Sequence, residues 1–244
     1  MGLTIAKTDQ GSPEIFNSLQ GEGPTTGMPV TFIRLSRCNL ACRWCDTAYT
    51  WRFKGDPRPH KDNIAFDREN NQITLDIAKV AKLILDLKPK RLVFTGGEPL
   101  LQANKLVELI KNLPKIDIEI ETNGTIEPPS NLEKEIIQFN VSPKLAHSGN
   151  QQKIAMIPKA LATYAKNPRA FFKFVLETPN DIDEVLSVCQ RYRIDPQRVF
   201  LMAEGTDSEI LRERQGWIVT ICQLHNFRMS DRLHIHLFGD KRGT

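Results

Sequence analysis

Val30-Thr-Phe-Ile-Arg-Leu-Ser-Arg-Cys-Asn-Leu-Ala-Cys-Arg-Trp-Cys45 carries a β-like run straight into a loop with three cysteines in eight residues. Val30-Thr-Phe-Ile-Arg-Leu35 reads as a strand, rich in β-branched and aromatic residues. Cys38, Cys42 and Cys45 then form a C-x3-C-x2-C cluster, with Trp44 just before the last thiol. Three thiolates can hold three irons of a [4Fe–4S] cube, whose usual complement is four cysteines. The remaining iron is then open to a substrate or cofactor, as the free position of a catalytic metal site is.

Outward from that loop, short β-like runs alternate with helical patterns. Residues 91–95, 117–121, 139–141, 171–176 and 198–202 read as further strands, and 233–238 as a last one. Ile77, Val80, Ile84 and Leu87 recur at helical spacing, with Thr74 or Asp76 available as a cap. Residues 100–113, 182–191 and 209–224 carry helical patterns too. Strands separated by helices imply right-handed βαβ units and a largely parallel sheet. The count falls short of eight units, so the expected fold is α/β, an incomplete TIM-like (β/α) barrel in a single domain over residues 1–244. The polar stretch 51–72, broken by Gly55, Pro57 and Pro59, is expected to be an exposed insertion.

Composition excludes several classes. The chain has 244 residues and a formal net charge of +4, spread too thinly to argue for nucleic acid. No apolar run is long enough to cross a bilayer, and the first fifteen residues show no signal-peptide core. Five cysteines is an odd number, and Cys189 and Cys222 lie alone within amphipathic patterns. This pattern suits a reducing cytoplasm and metal ligation rather than a disulfide framework.

The unusual polar strings fall after predicted strands, where barrels of this kind place their active sites. Thr95-Gly-Gly-Glu-Pro99 follows the second strand, Glu121-Thr-Asn-Gly124 the third, Ser142-Pro-Lys144 the fourth and Met202-Ala-Glu-Gly205 the sixth. Each also has a plain turn reading. In the functional reading, the paired glycines let backbone groups approach a ligand, and Glu98 meets an ammonium. A structural zinc site is the bland alternative for the cysteines, with His60 the nearest candidate fourth ligand.

Together these residues resemble the radical S-adenosylmethionine (SAM) superfamily. The Gly96-Gly-Glu-Pro99 string matches the motif that contacts the SAM amino group. A narrower resemblance, to the 7-carboxy-7-deazaguanine synthase family, rests on several strings. These are Phe16-Asn-Ser-Leu-Gln-Gly-Glu-Gly23, Arg34, Cys45-Asp-Thr47, Glu121-Thr-Asn-Gly124, Ser142-Pro-Lys144 and the ending Arg232-Leu-His-Ile-His-Leu-Phe-Gly-Asp-Lys-Arg-Gly-Thr244. It implies a lyase-type enzyme that converts 6-carboxy-5,6,7,8-tetrahydropterin to 7-carboxy-7-deazaguanine, losing ammonia, on the route to queuosine and other 7-deazapurines.

By that resemblance Cys38, Cys42 and Cys45 ligate the cluster and Thr47 is a magnesium ligand. Trp44, Asp46, Gly97, Glu98, Ser142, Pro143, Lys144 and the segment Met202, Ala203, Glu204, Gly205 contact SAM. Leu19, Gln20, Gly21, Glu22, Arg34, Thr95 and His234 line the pterin site, and the terminal carboxylate of Thr244 reaches it. Read as a strand, 233–238 puts His234 and His236 on one side, so His236 stays open as an alternative. Arg34 also has a reading as half of a structural ion pair. The resemblance further implies an external flavodoxin-like one-electron donor and a homodimer. The competing readings are another radical SAM enzyme, such as a glycyl-radical activase, and a zinc-bearing nucleic-acid-binding module.

Overall fold

In the computed structural model, which describes residues 2–244, ten strands form one sheet. They are β1 (Gly2–Ala6), β2 (Ile15–Leu19), β3 (Pro29–Leu35), β4 (Gln72–Asp76), β5 (Arg91–Gly96), β6 (Asp117–Thr122), β7 (Gln138–Val141), β8 (Ala170–Leu176), β9 (Val199–Ala203) and β10 (Arg228–Ser230). Their order is β10-β9-β8-β7-β6-β5-β3-β1-β4, with β2 paired along β3. From β3 to β10 each strand runs parallel to its neighbour. β1, β2 and β4 are antiparallel additions at one edge. Because β10 and β4 do not meet, the sheet is an open, partial (β/α) barrel, as the strand count predicted.

The period-two alternation of the strands sorts side chains to two faces. Ile33, Leu92, Phe94, Ile118, Ile120, Phe139, Phe172, Phe174 and Leu201 join buried helical residues such as Val80, Ile84, Leu106, Val185 and Ile218 in the main core. Burying each of the four fully enclosed phenylalanines, Phe94, Phe139, Phe172 and Phe174, contributes roughly 1.5–3 kcal/mol. The opposite, inner face begins with a small apolar floor of Val30, Phe32 and Val93. Beside it lie buried polar residues: Thr95 on β5, Glu119 on β6, Gln138 and Asn140 on β7, and Lys173 on β8.

The helices follow the apolar spacing. Ile77–Asp86 buries Ile77, Val80, Ala81 and Ile84 against the sheet. Asp76 occupies its N-cap position, yet no side-chain cap bond forms there. The long helix Ser208–His225 is capped properly, Asp207 accepting from the Glu209 and Ile210 amides at 2.8 and 3.1 Å.

Two expectations change. Leu233–Phe238 is an α-helix and not a final strand. Its apolar alternation is short enough to suit either state. The outcome is fixed from outside, because the Leu233 amide bonds to Gly21 O at 3.0 Å and the Gly239 amide closes back on Ile235 O. The sheet ends instead on β10, which the sequence reading left out along with β1, β2 and β4. Residues 51–72 are only partly exposed: Trp51, Arg52, Phe53, His60 and Asn71 are buried. Arg52 ties the segment together by donating to Arg58 O, Ile64 O and Asn63 Oδ1.

Candidate active site

The loops after β3, β5, β6, β7 and β9 converge on one cavity of about 440 Å³, a size typical of small-molecule and cofactor sites. Cys38, Cys42 and Cys45 line one end of it. The loop holding them is set by Arg37, whose backbone takes a left-handed φ of 84°. Each thiol receives its own donor: Asn123 Nδ2 at 3.9 Å on Cys38, Asn150 Nδ2 at 3.3 Å on Cys42, and Trp51 Nε1 at 3.4 Å on Cys45. Burial pushes the Cys38 thiol up to about 12 and Cys42 up to about 11, and raises Cys45 as well. Thiolates there need a cationic partner, which iron supplies, and hydrogen bonds to the sulfurs are a usual means of tuning a cluster.

The donor set fits a cube better than a single zinc ion. Among the described residues no three of His, Cys, Asp or Glu converge on one metal-sized point. A cube places its three thiolates on three separate irons, so convergence is not required. His60 has both ring nitrogens engaged: its Nδ1 accepts from the Asp62 amide at 3.3 Å, leaving Nε2–H to donate to Cys45 O at 2.8 Å.

The glycine pair has a different first duty from the one expected. A Cβ on Gly96 would lie 2.0 Å from Leu35 O, and one on Gly97 would lie 2.1 Å from Arg37 O. These contacts press the β5 turn onto the cysteine loop, stapled by Gly97 N to Leu35 O and Glu98 N to Arg37 O. Glu98, expected to meet an ammonium, is fully buried and turned inward. Its oxygens accept from the Leu100 amide within the turn and from the Asn123 amide and Thr122 Oγ1 at the end of β6, so protein donors use them. Pro143 and Ala203 also lie outside the cavity lining. Ala203 packs into the main core, since strand alternation turns it away from the face shared by Met202 and Glu204.

The other predicted SAM contacts, Trp44, Asp46, Gly97, Ser142, Lys144, Met202, Glu204 and Gly205, do line the cavity. Trp44 stacks on His147 with centroids 5.6 Å apart and donates Nε1–H to His147 Nδ1. The His147 proton therefore sits on Nε2, which donates to Val175 O at 3.0 Å. Lys144 stands over the same indole and donates to Ser142 Oγ at 2.8 Å.

Leu19, Gln20, Gly21, Glu22, Arg34, Thr95, His234 and Thr244 line the cavity too, as does Thr47 beside Cys45. Gln20 and Thr95 both donate to Glu121, at 3.2 and 2.6 Å. Arg34 donates through Nε to the buried Glu14 at 2.7 Å, so the structural pairing is present alongside its place in the lining. Glu22 is ringed by Lys173, Arg232 and His234. Burial alone would raise its pKa, but Lys173 and Arg232 together hold the carboxyl well below the usual range. His234 is pulled down by burial, with Arg232 adding to the effect and Glu22 opposing it, so the ring is neutral near pH 7. Its 4.0 Å approach to Glu22 is then no ion pair.

The helical turn sends the two histidines to different surroundings. Residues two apart on an α-helix diverge by roughly 200°. His234 packs against Gly21, while His236 points to Ser208 and to Asp231 at 3.1 Å. Lys173 and Arg232 were missed from sequence. Lys173 had a legible signal, as the one charge in the apolar run Ala170–Leu176.

The comparisons with known proteins agree with this geometry. A Radical SAM superfamily model matches residues 32–141, which span β3 to β7 and include all three cysteines. That is the class to which the cysteine loop and the partial barrel point. Over most of its length the chain resembles proteins named 7-carboxy-7-deazaguanine synthase: 35% identical to that of Pyrobaculum aerophilum (94% of this chain, 95% of the relative) and 32% to that of Hyperthermus butylicus (91% and 90%). The crystal structure of QueE from Escherichia coli superposes with a TM-score of 0.66 at 26% identity, covering 96% of this chain and 95% of that one. The chain belongs to the 7-carboxy-7-deazaguanine synthase family.

Proposed function

We propose that this chain converts 6-carboxy-5,6,7,8-tetrahydropterin to 7-carboxy-7-deazaguanine with loss of ammonia, in 7-deazapurine biosynthesis. The observation that carries the reading is the ionised Glu22, ringed by Lys173 and Arg232, in the same cavity as the three cysteines. When bound at those cysteines, a [4Fe–4S] cluster with SAM supplies one-electron radical chemistry. The protein binds and orients.

An ionised carboxylate is an acceptor only, so Glu22 suits the ring N–H groups of a pterin. Arg34 bonds Glu14 through Nε alone among the described residues, which leaves its terminal amino groups for the substrate carboxylate. Neutral His234 can accept or donate a proton at the cavity wall. For magnesium the chain offers the Thr47 hydroxyl in the cavity lining, which suits an ion held mostly by substrate oxygens and water. The proposal extends, on family resemblance, to an external flavodoxin-like reductant, a homodimer and a cytoplasmic setting. Among the described residues no helix is long and apolar enough to cross a membrane.

A glycyl-radical activase and a zinc-bearing nucleic-acid module are not favoured: the relatives share one name, and the cysteines do not converge as zinc ligands. Anaerobic incubation of the reconstituted protein with SAM, reductant, Mg²⁺ and the carboxypterin should yield the deazaguanine by mass detection. Consumption of SAM without that product would overturn the reading.

A further inference from the structure

Arg232 is buried, and each of its three nitrogens is committed to a protein acceptor. Nε–H donates to Glu22 Oε1 at 3.2 Å, Nη2 to the Asp46 carboxylate, and Nη1 to Gly205 O. The acceptors come from three separate segments. Glu22 follows β2, Asp46 directly follows Cys45, and Gly205 lies in the loop after β9. We propose that Arg232 is a positioning residue that holds the pterin wall, the cysteine loop and the loop after β9 in one fixed relation. This rests on the function proposed above.

Arg232 is the counter-charge of Asp46 as well as a second cation on Glu22, which Lys173 already meets. Neutrality alone would be served by any cation near Asp46 and does not ask for a guanidinium. What Lys173 cannot do is reach Asp46 and Gly205 at the same time. A guanidinium is a rigid planar fork of five N–H groups and can serve three acceptors in fixed directions; an ammonium is a compact point charge. The fork itself is anchored. The Arg232 amide bonds Asp231 Oδ1 at 2.6 Å, Asp231 accepts again from Gln215, and the next amide, Leu233, bonds Gly21 O. The backbone at 231–233 is thus held to the long helix on one side and to the pterin wall on the other. A shift of the fork would move Glu22, Asp46 and Gly205 together.

The test compares Arg232→Lys and Arg232→Met with wild type. In the cluster-free proteins, Arg232→Lys, which keeps the charge, should lower the thermal midpoint less than Arg232→Met does. After cluster reconstitution, SAM affinity by calorimetric titration and pterin KM should both worsen about tenfold or more in Arg232→Lys, the scale of losing hydrogen bonds between charged groups. A single substitution that weakens both ligands while iron content stays at the wild-type level is the signature of positioning. Arg232→Lys binding SAM and pterin as wild type does would overturn the inference. So would a lower midpoint in both variants with unchanged KM and SAM affinity in the folded fraction. Wild type run alongside separates the two readings: if it fails to convert the carboxypterin, the proposed function falls, whereas a converting wild type with an unaffected lysine variant removes only the role of Arg232.

Discussion

Replacing Glu98 with Gln should flatten a pH dependence of stability that the fold builds in. The carboxyl is fully buried. It accepts from Asn123 N at 2.8 Å, Leu100 N at 3.0 Å and Thr122 Oγ1. Burial is the largest influence and pushes the pKa from 4.5 up to about 7, outweighing the donors that favour the ionised form. The folded state therefore holds this proton more tightly than the unfolded chain does. Below about pH 4.5 both states are protonated and nothing is lost; as pH rises towards 7, stability falls, and the full cost is present above 7. A shift from 4.5 to about 7, at ~1.36 kcal/mol per unit, makes that cost roughly 3 kcal/mol. Glutamine cannot ionise, though its amide N–H₂ must face a backbone donor, at a pH-independent cost of about 1–3 kcal/mol. That sets an offset and not a slope. His234 titrates in the opposite sense, because its folded pKa lies below 6.5 and stability is lost as pH falls through that region. It is present in both proteins and cancels in the difference. Urea unfolding of cluster-free wild type and Glu98→Gln, under reducing conditions from about pH 5 to about pH 8, gives that difference directly. A difference that stays flat across the range refutes the buried-carboxyl argument.

Gly97→Ala would put a Cβ 2.1 Å from Arg37 O and 3.0 Å from Cys38 Cβ, so iron content after reconstitution should drop well below wild type. Gly216→Ala, with open space around it, should load normally and serves as the control. Lys173→Met leaves Glu22 with Arg232 as its remaining cation, and the pterin KM should rise about tenfold with cluster content unchanged; an unaltered KM removes Lys173 from the substrate site. Thr47→Ala should weaken the response of activity to added Mg²⁺, and a titration that overlays wild type would exclude the hydroxyl as a ligand.

β3 and β5 to β9 were legible because each is a compact apolar or alternating run, and that signal is local; β10, the three residues Arg228–Ser230, carries no such run. β1 and β4 were not legible, because the pairing of Gly2 with Asp76 depends on a register set 74 residues away. The helix Leu233–Phe238 failed for the same reason: its sequence fits two states, and the bond from Leu233 N to Gly21 O selects between them. Glu98 and the glycine pair were read with the ligand in mind, whereas their nearest neighbours are Thr122, Asn123, Leu35 and Arg37. A motif shows which residues matter and is silent on which surface they serve.

That distinction bears on where substrate choice resides. Two backbone bonds, Gly97 N to Leu35 O and Glu98 N to Arg37 O, join the β5 turn to the cysteine loop, and neither involves a residue of the pterin wall. The pterin wall is built differently. Glu22 takes its charge state from Lys173 on β8 and Arg232 before the last helix, and its neighbour Gln20 leans on Glu121 of β6. Three elements from the second half of the sheet and beyond thus converge on one segment from the first half. Selectivity for a pterin should therefore be lost by substitutions at 121, 173 or 232 while cluster assembly survives, and the converse should hold at 97.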